Sequence, residues 1–481
     1  MSLPKLQGKQ AEVLCLPEKG HFVVLGTAGS GKTIMAIYRS ITLAESIVSE
    51  KQKVMLVTYN RSLVTYLKHL SEGMIKNVDV RNYHEFARYY LEQRGLLGYH
   101  DIVPETGNST DNKKFTFIKE AINNVLQEVG YNSTLERAPE VFYEEIDWMQ
   151  KMGITTLQDY MEAERIGRLG TRITRDKRKY FFEVYKKYVE IRAEHEYRYD
   201  WDDIAQTVIK EYENDITQRM YKHIVIDEGQ DFSPVMLRSL VLAIPQDGSI
   251  TFFGDVAQQI YGGRISWRNA GFNIKKGDVW RFDQNYRNSI EIAQLAIAIS
   301  NLPCFGQSAD IVVPRSAMAS GPKPVLAEFE NEDNELYWIT NNAHLLSKNE
   351  TVAILVRTRQ DVDKIIGLLN KKRVKYQVLH GKMKNWNNNP GISVGTYHSA
   401  KGIEFDTVLL PYCSKDRIPD PNKVIALDDK NEALGEEAKL IYVAVTRAKR
   451  RLILTYTGEA TEILPTDNAL YHKTEIIIKR L

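Results

Sequence analysis

A glycine-rich segment near the N-terminus has the residue types and spacing of a phosphate-binding loop. It follows an apolar run, precedes a helix-like stretch and fits the pattern G-x-x-x-x-G-K-[ST]. Its glycines let successive backbone N–H groups face a phosphate, and a helix N-terminus favours negative charge. We predict that the lysine reaches the β- and γ-phosphates of a nucleotide and that the threonine hydroxyl holds Mg²⁺. The residues are Gly26, Thr27, Ala28, Gly29, Ser30, Gly31, Lys32 and Thr33.

A pair of adjacent carboxylates could complete such a site. Asp227 and Glu228 directly follow the apolar run 224–226, and the carboxyl ends of buried parallel strands are where these sheets present ligands. We predict that Asp227 binds Mg²⁺ through water and that Glu228 orients and deprotonates the attacking water. An acidic turn at the surface is the alternative interpretation.

The elements that must position these residues are visible as alternating patterns. Apolar runs at 23–25, 54–57 and 78–80 alternate with helix-like periodicity, which predicts a parallel sheet covered by helices. From about residue 100 to 199 the spacing is helical and no strand pattern appears. Apolar runs return at 223–226 and 251–253. The pattern therefore predicts one α/β domain that is split by a helical insertion.

A second alternating series predicts a second α/β domain. It begins near Val279, and Asn288 followed by Glu291 has the spacing of a helix start within it. Two stretches, 382–390 and 414–436, are predicted to be loops. The further strand candidates lie at 325–326, 352–356, 392–394, 408–410 and 452–454.

Composition limits the classes of protein. The 481 residues suit about three folding units, and 43% hydrophobic residues with 26% charged ones are ordinary for a globular chain. With no apolar run long enough to span a membrane and three scattered cysteines, we expect a cytoplasmic protein without a membrane partner. The net charge of +2 means that any nucleic-acid contact comes from local patches.

Six sequence blocks, taken together and in order, resemble superfamily 1 helicases of the UvrD/Rep/PcrA type. The resemblance implies two RecA-like P-loop NTPase domains with parallel sheets, called 1A and 2A, and a helical insertion called 1B. It places 1A at 1–99 and 200–278, 1B at 100–199 and 2A at 279–481. The blocks are 26–33, 227–231, 254–258, 284–287, 396–405 and 442–448.

The resemblance assigns further residues to an ATP site between the two domains. Gln10 matches the glutamine that reads adenine, and Tyr286 matches an aromatic residue that packs on it. Gln258 matches a γ-phosphate sensor, and Glu404 matches a ribose contact. Two arginines match those that the second domain directs at the phosphates, where a cation fork stabilises the charge that develops. These are Arg287 and Arg447.

The resemblance also implies a track for single-stranded DNA, presented by a 3′ tail or a gap. Aromatic faces suit such a track because base stacking tolerates any sequence. RNA stays open as the track, because stacking and phosphate contacts do not distinguish the sugars. The matching residues are Thr58, Tyr59, Asn60, Tyr83, His84, Phe86, Tyr261, Trp267, Arg268, Thr396 and His398.

One departure from the family pattern affects the expected activity. Only 37 residues separate Thr358 from Thr396. Members of the family carry a large insertion there, called 2B, and in this chain only 382–390 could occupy its place. We therefore expect 2B to be essentially absent, and 3′ to 5′ translocation to be better supported than processive unwinding. The alternative is an ATP-gated subunit of a nuclease or of a repair or phage-defence complex.

Overall fold

The computed structural model describes most of the chain and gives two α/β units with a helical insertion. The described residues are 5–477 apart from 7, 28, 48–51, 71–76, 99, 105–111, 166–172, 256–266, 269, 276, 283–287, 306–318, 381–382, 384–385 and 388. None of the described helices combines the length and apolar composition that crossing a membrane requires.

The first unit is a parallel sheet with the strand order β3-β2-β4-β5-β1-β6. Its central strands are buried on both faces, which is why their sequences read as continuous apolar runs. The strands are β1 Gly20–Gly26, β2 Lys53–Thr58, β3 Val78–Asn82, β4 Tyr221–Ile226, β5 Ser249–Gly254 and β6 Val279–Phe282. The helices are α1 Lys32–Glu45, α2 Arg61–Leu70, α3 Tyr83–Gln93, α8 Ile204–Asn214 and α9 Pro234–Leu242.

The helical insertion lies between α3 and α8 in the chain. Its helices are α4 Lys113–Val129, α5 Pro139–Met152, α6 Leu157–Glu162 and α7 Arg175–Glu194. They share a core of their own, in which Phe142 stacks on Phe181 with ring centroids 4.4 Å apart. The fully buried Lys114 joins this core to the segment before α8, because its Nζ lies 2.6 Å from Asp147 and 2.7 Å from Asp202.

The second unit is a parallel sheet with the order β13-β7-β12-β11-β8-β10-β9. The strands are β7 Val325–Phe329, β8 Thr351–Val356, β9 Tyr376–Val378, β10 Gly391–Thr396, β11 Phe405–Leu410, β12 Ala448–Thr457 and β13 His472–Ile476. The helices are α10 Ile290–Ser300, α11 Glu332–Leu346, α12 Arg359–Lys371, α13 Pro421–Leu427 and α14 Lys430–Val445. The prediction of α/β units with parallel sheets and a helical insertion is confirmed.

Three local predictions were wrong. The strand at Val279 does not open the second unit, because β6 pairs in parallel with β1 in the first sheet. The stretch 414–436, predicted to be a loop, contains α13 and the start of α14. Asn288 does not cap α10, since Ser289 does so. Its side-chain amide instead donates to the carbonyls of Thr446 and Ala448, at 3.0 and 2.6 Å.

Candidate nucleotide and strand site

The glycine-rich loop connects the end of β1 to the start of α1. Gly31 precedes α1 with a φ of +83°, and a Cβ there would lie 2.6 Å from Nε2 of Gln10. That amide donates to the Ser30 carbonyl at 2.7 Å, so Gln10 lies directly against the loop. Only glycine therefore fits position 31. The turn leads directly into the N-terminus of α1, a site that favours anions.

The Lys32 side chain is buried within this loop. Its ammonium donates to the carbonyls of Gly26 and Thr27, both at 2.8 Å, and lies 3.9 Å from Asp255 at the end of β5. The loop, the lysine and Asp255 thus meet at the carboxyl edge of the first sheet, where ligands bind in such sheets.

Asp227 and Glu228 follow β4 at the same edge and are both buried. Burial and the neighbouring Glu228 raise the pKa of Asp227 to about 7. The Thr33 hydroxyl faces this carboxyl and acts to lower its pKa. A buried carboxylate beside a hydroxyl is an oxygen donor set that suits Mg²⁺, so these residues fit the predicted metal.

The pKa of Glu228 is shifted in the opposite direction from that of Asp227. Burial acts to raise the pKa of its carboxyl, but Lys401, Lys32 and Arg447 outweigh burial and lower it. The backbone of Glu228 is in the left-handed region with a φ of +52°, and its Oε2 accepts a 2.5 Å hydrogen bond from Gln230. The side chain is therefore held ionised and oriented.

Two of the cations around Glu228 belong to the second α/β unit. Lys401, in the loop between β10 and β11, forms a buried ion pair with Asp231. Arg447, just after α14, is buried, and its Nε donates to the Val443 carbonyl at 2.9 Å. Glu404, in the same loop as Lys401, is half-buried. Sequence reasoning missed Lys401 and Asp231 as site residues, although both lie within the family-like blocks.

Several predicted residues lie outside the described part of the chain. These are Ala28 of the loop, Gln258, Tyr261, Tyr286 and Arg287. Their predicted roles stay predictions.

An aromatic cluster lies on the first unit where the strand track is predicted. The His84 ring is 5.6 Å from Tyr59 and 5.2 Å from Trp201, with edge-to-face geometry, and the Arg61 guanidinium lies over Trp201. Burial, Arg61 and Lys151 together lower the pKa of His84 to about 4. Sequence reasoning did not include Trp201 among the strand contacts.

Three predicted strand contacts prove to be core residues. Tyr83 is fully buried and its hydroxyl lies 2.7 Å from that of Ser239, while Phe86 is 2% exposed. Thr58 is also fully buried. None of these side chains offers a surface to a base, because packing between the sheet and α3 covers them. The sequence could not separate them from Tyr59 and His84, since all follow or end the adjacent strands β2 and β3 within four residues.

The remaining predicted strand contacts differ in their surroundings. Trp267 packs edge-to-face on Phe252 and Phe272 and is only partly buried, and Arg268 is exposed. The amide of Asn60 donates to the carbonyls of His398, Ser399 and Lys401 at 3.2 to 3.3 Å. Asn60 thus links the first unit to the loop after β10.

His398 and Thr396 lie in that loop of the second unit. Thr396 Oγ1 accepts a hydrogen bond from the Ser399 backbone at 3.2 Å, which fixes the turn. Burial, with Arg357, Lys401 and Lys423 as nearby cations, lowers the pKa of His398 to about 3. The imidazole is therefore neutral near physiological pH.

Comparison with known proteins agrees with this geometry. Residues 6–276 match the model of the UvrD/REP helicase N-terminal domain, and residues 280–384 and 379–459 match that of the UvrD-like helicase C-terminal domain.

Three curated relatives are similar along most of the chain. A probable DNA helicase II homolog of Mycoplasma genitalium is 21% identical over 73% of this chain and 52% of its own length. A probable DNA helicase of Mycoplasma pneumoniae is 22% identical over 93% and 82%, and DNA helicase IV of Escherichia coli is 21% identical over 91% and 66%. The chain thus spans about half to four-fifths of these relatives. On these matches and on its fold, the chain belongs to the UvrD-like family of superfamily 1 DNA helicases.

Proposed function

We propose that the chain is an ATP-dependent translocase and helicase that moves along single-stranded DNA and hydrolyses ATP between its two α/β units. The observation that carries this proposal is the charge arrangement around Glu228. An ionised, buried carboxylate of the first unit is surrounded by Lys32 of the phosphate loop and by Lys401 and Arg447 of the second unit. Such an arrangement suits a general base beside a phosphoryl group.

In this mechanism Glu228 orients the attacking water and accepts its proton. Lys32 moves from the loop carbonyls to the β- and γ-phosphates, and Arg447 stabilises the charge that spreads over the γ-phosphoryl oxygens. Thr33 and Asp227 would hold Mg²⁺, which neutralises charge on the β- and γ-phosphates. Gln10, which packs against the loop, would read adenine, a role proposed from the family resemblance.

Hydrolysis is coupled to movement through the contacts between the units. Asn60 holds the loop that carries His398, and Lys401 of the same loop pairs with Asp231 close to Glu228. A change in the separation of the units therefore moves strand contacts and ATP contacts together, as domain closure does in other motors. The 3′ to 5′ direction is proposed from the family resemblance alone.

The decisive experiment measures the ATPase rate with and without DNA and RNA oligonucleotides of one sequence. We expect strong stimulation by single-stranded DNA, loss of activity in Lys32→Ala, and normal activity in Lys415→Ala, which alters an exposed lysine. Duplexes with a 3′ or a 5′ tail then test direction and unwinding. An ATPase rate that no nucleic acid changes would refute the proposal. Stronger stimulation by RNA than by DNA would identify RNA as the strand along which the protein moves.

A further inference from the structure

Helix α5 of the insertion extends between the predicted strand contacts of the two units. Near its C-terminal end, Lys151 Nζ lies 3.7 Å from Asp202 Oδ1, and the preceding Trp201 packs on His84 of the first unit with ring centroids 5.2 Å apart. Two turns earlier on α5, or about 10 Å by helix geometry, Glu144 pairs with Lys423 of α13. The Lys423 charge in turn acts on His398. The helix thus joins the two sides of the predicted track.

The contact at the second unit depends on one lysine between two carboxylates. Lys423 Nζ lies 2.8 Å from Glu144 Oε1 and 3.0 Å from Glu436 Oε2, which belongs to α14. The three side chains are each 21 to 24% exposed. Partly exposed ion pairs contribute little net stability, so another anion can replace one of the carboxylates. Glu436 shares a unit with Lys423, whereas Glu144 is on the insertion and can leave with it.

A strand phosphate is the anion that fits this place. A series of contacts joins Lys423 to the loop that carries His398. Its partner Glu436 precedes Glu437, which accepts a hydrogen bond from Arg357 Nε at 2.8 Å, and the Val356 carbonyl before Arg357 accepts the N–H of Tyr397 at 3.0 Å. A lysine ammonium binds phosphate as a point charge. We propose that Lys423 is a phosphate-binding residue of the strand track and that Glu144 occupies it until a strand enters. Helix α5 then acts as a lid, released when phosphate takes the place of Glu144. This inference depends on the proposed function, since it needs a single-stranded track.

The test measures the affinity of each variant for a fluorescein-labelled oligothymidylate by anisotropy, without nucleotide and at several salt concentrations. Glu144→Gln should bind about two- to fivefold more tightly, because the competing pair is removed. Lys423→Gln should bind more weakly, with a slope of log affinity against log salt smaller by about 0.7. The double variant should bind as weakly as Lys423→Gln. Lys415→Gln, at an exposed ion pair of the same unit, is the control and should match the wild type.

Urea unfolding of Glu144→Gln and Lys423→Gln separates binding from folding. Both variants should unfold with a midpoint close to that of the wild type, because partly exposed ion pairs contribute little net stability. Unchanged or weaker binding by Glu144→Gln would overturn the inference, as would a double variant that binds more tightly than Lys423→Gln. If the wild type binds no single-stranded DNA, the proposed function is overturned as well. If the wild type binds DNA and the variants bind with the same affinity, only the inference that α5 acts as a lid is overturned.

Discussion

Asp227 and Glu228 are neighbours in sequence but have pKa values that move in opposite directions. Burial and the adjacent charge raise the pKa of Asp227, while Lys401, Lys32 and Arg447 overcome the burial of Glu228 and lower its pKa. Pairs of carboxyl groups whose environments separate their pKa values indicate a division of roles. At the residue scale, we propose Glu228 as the general base because it is ionised and can accept a proton. We propose Asp227 as the metal ligand because it is buried beside the Thr33 hydroxyl, a second oxygen donor.

This division predicts the effect of replacing Glu228 by its isosteric amide. Glu228→Gln should lower the strand-stimulated turnover by about 10²- to 10⁴-fold, because the amide cannot accept the proton of the attacking water. Nucleotide binding, followed with a fluorescent ATP analogue, should persist because the phosphate loop is unchanged. Glu213→Gln, at an exposed ion pair, is the control. Turnover above a tenth of the wild-type value would assign the base to another residue.

At the scale of elements, the start of α2 and the loop between β10 and β11 form a direct contact between the two α/β units. Asn60, just before α2, donates to three carbonyls of that loop. Gly402 in the loop has a φ of +78°, and a Cβ there would lie 2.7 Å from Leu63 Cδ2 of α2. The loop can approach the helix only because this position lacks a side chain.

Gly402→Ala should therefore affect coupling more than stability. Both this variant and Gly458→Ala place alanine at a positive φ, at a cost of roughly 1–2 kcal/mol, but Gly458 has no atom within 4 Å of its would-be Cβ. We expect Gly402→Ala to lower strand-stimulated ATPase activity by about tenfold or more, because the loop is displaced from α2. Gly458→Ala should keep that activity. Equal activities of the two variants would show that the approach to α2 is unimportant.

At the scale of the whole molecule, the two units are connected by contacts of different strength. The Lys401–Asp231 pair is 2 to 3% exposed, whereas the Glu144–Lys423 pair is 21 to 24% exposed. The segment after β9, predicted to stand in place of an insertion, also contacts α2. Thr65 Oγ1 donates to the Met383 carbonyl at 3.0 Å, and Tyr66 packs edge-to-face on Trp386 at 5.2 Å. The molecule thus combines a buried ion pair at the proposed ATP site with a partly exposed one over the proposed strand track.

The effects of replacing Asp231 and Lys401 on the free energy of unfolding should depend strongly on each other. Asp231→Asn should lower the free energy of unfolding by about 3–5 kcal/mol, because the buried Lys401 loses its carboxylate. Adding Lys401→Met should restore part of this loss, which gives a coupling energy of about 1–3 kcal/mol in urea unfolding. The same cycle on Lys415 and Glu459, an exposed pair, should show no measurable coupling. Additive effects at Asp231 and Lys401 would argue against a direct pair.

Much of the architecture could be predicted because it depends on short-range patterns. Strands buried on both faces read as apolar runs, and a loop of glycines between a strand and a helix fits phosphate whatever surrounds it. The sheet to which β6 belongs was not predictable in this way. Four residues of strand pattern do not specify a partner, and only the pairing of β6 with β1 assigns it to the first unit.

By itself, the sequence determined the family, the two α/β units, the phosphate loop and the two carboxylates after β4. Only the tertiary structure decided which neighbouring aromatic residues are fully buried, placing Tyr83 in the core and His84, partly buried, against Trp201. It also decided the pairs that cross the molecule, Asp231 with Lys401 and Glu144 with Lys423. The physical reason is that local geometry follows from neighbours in the chain, whereas burial and ion pairs depend on residues that folding brings together from far apart.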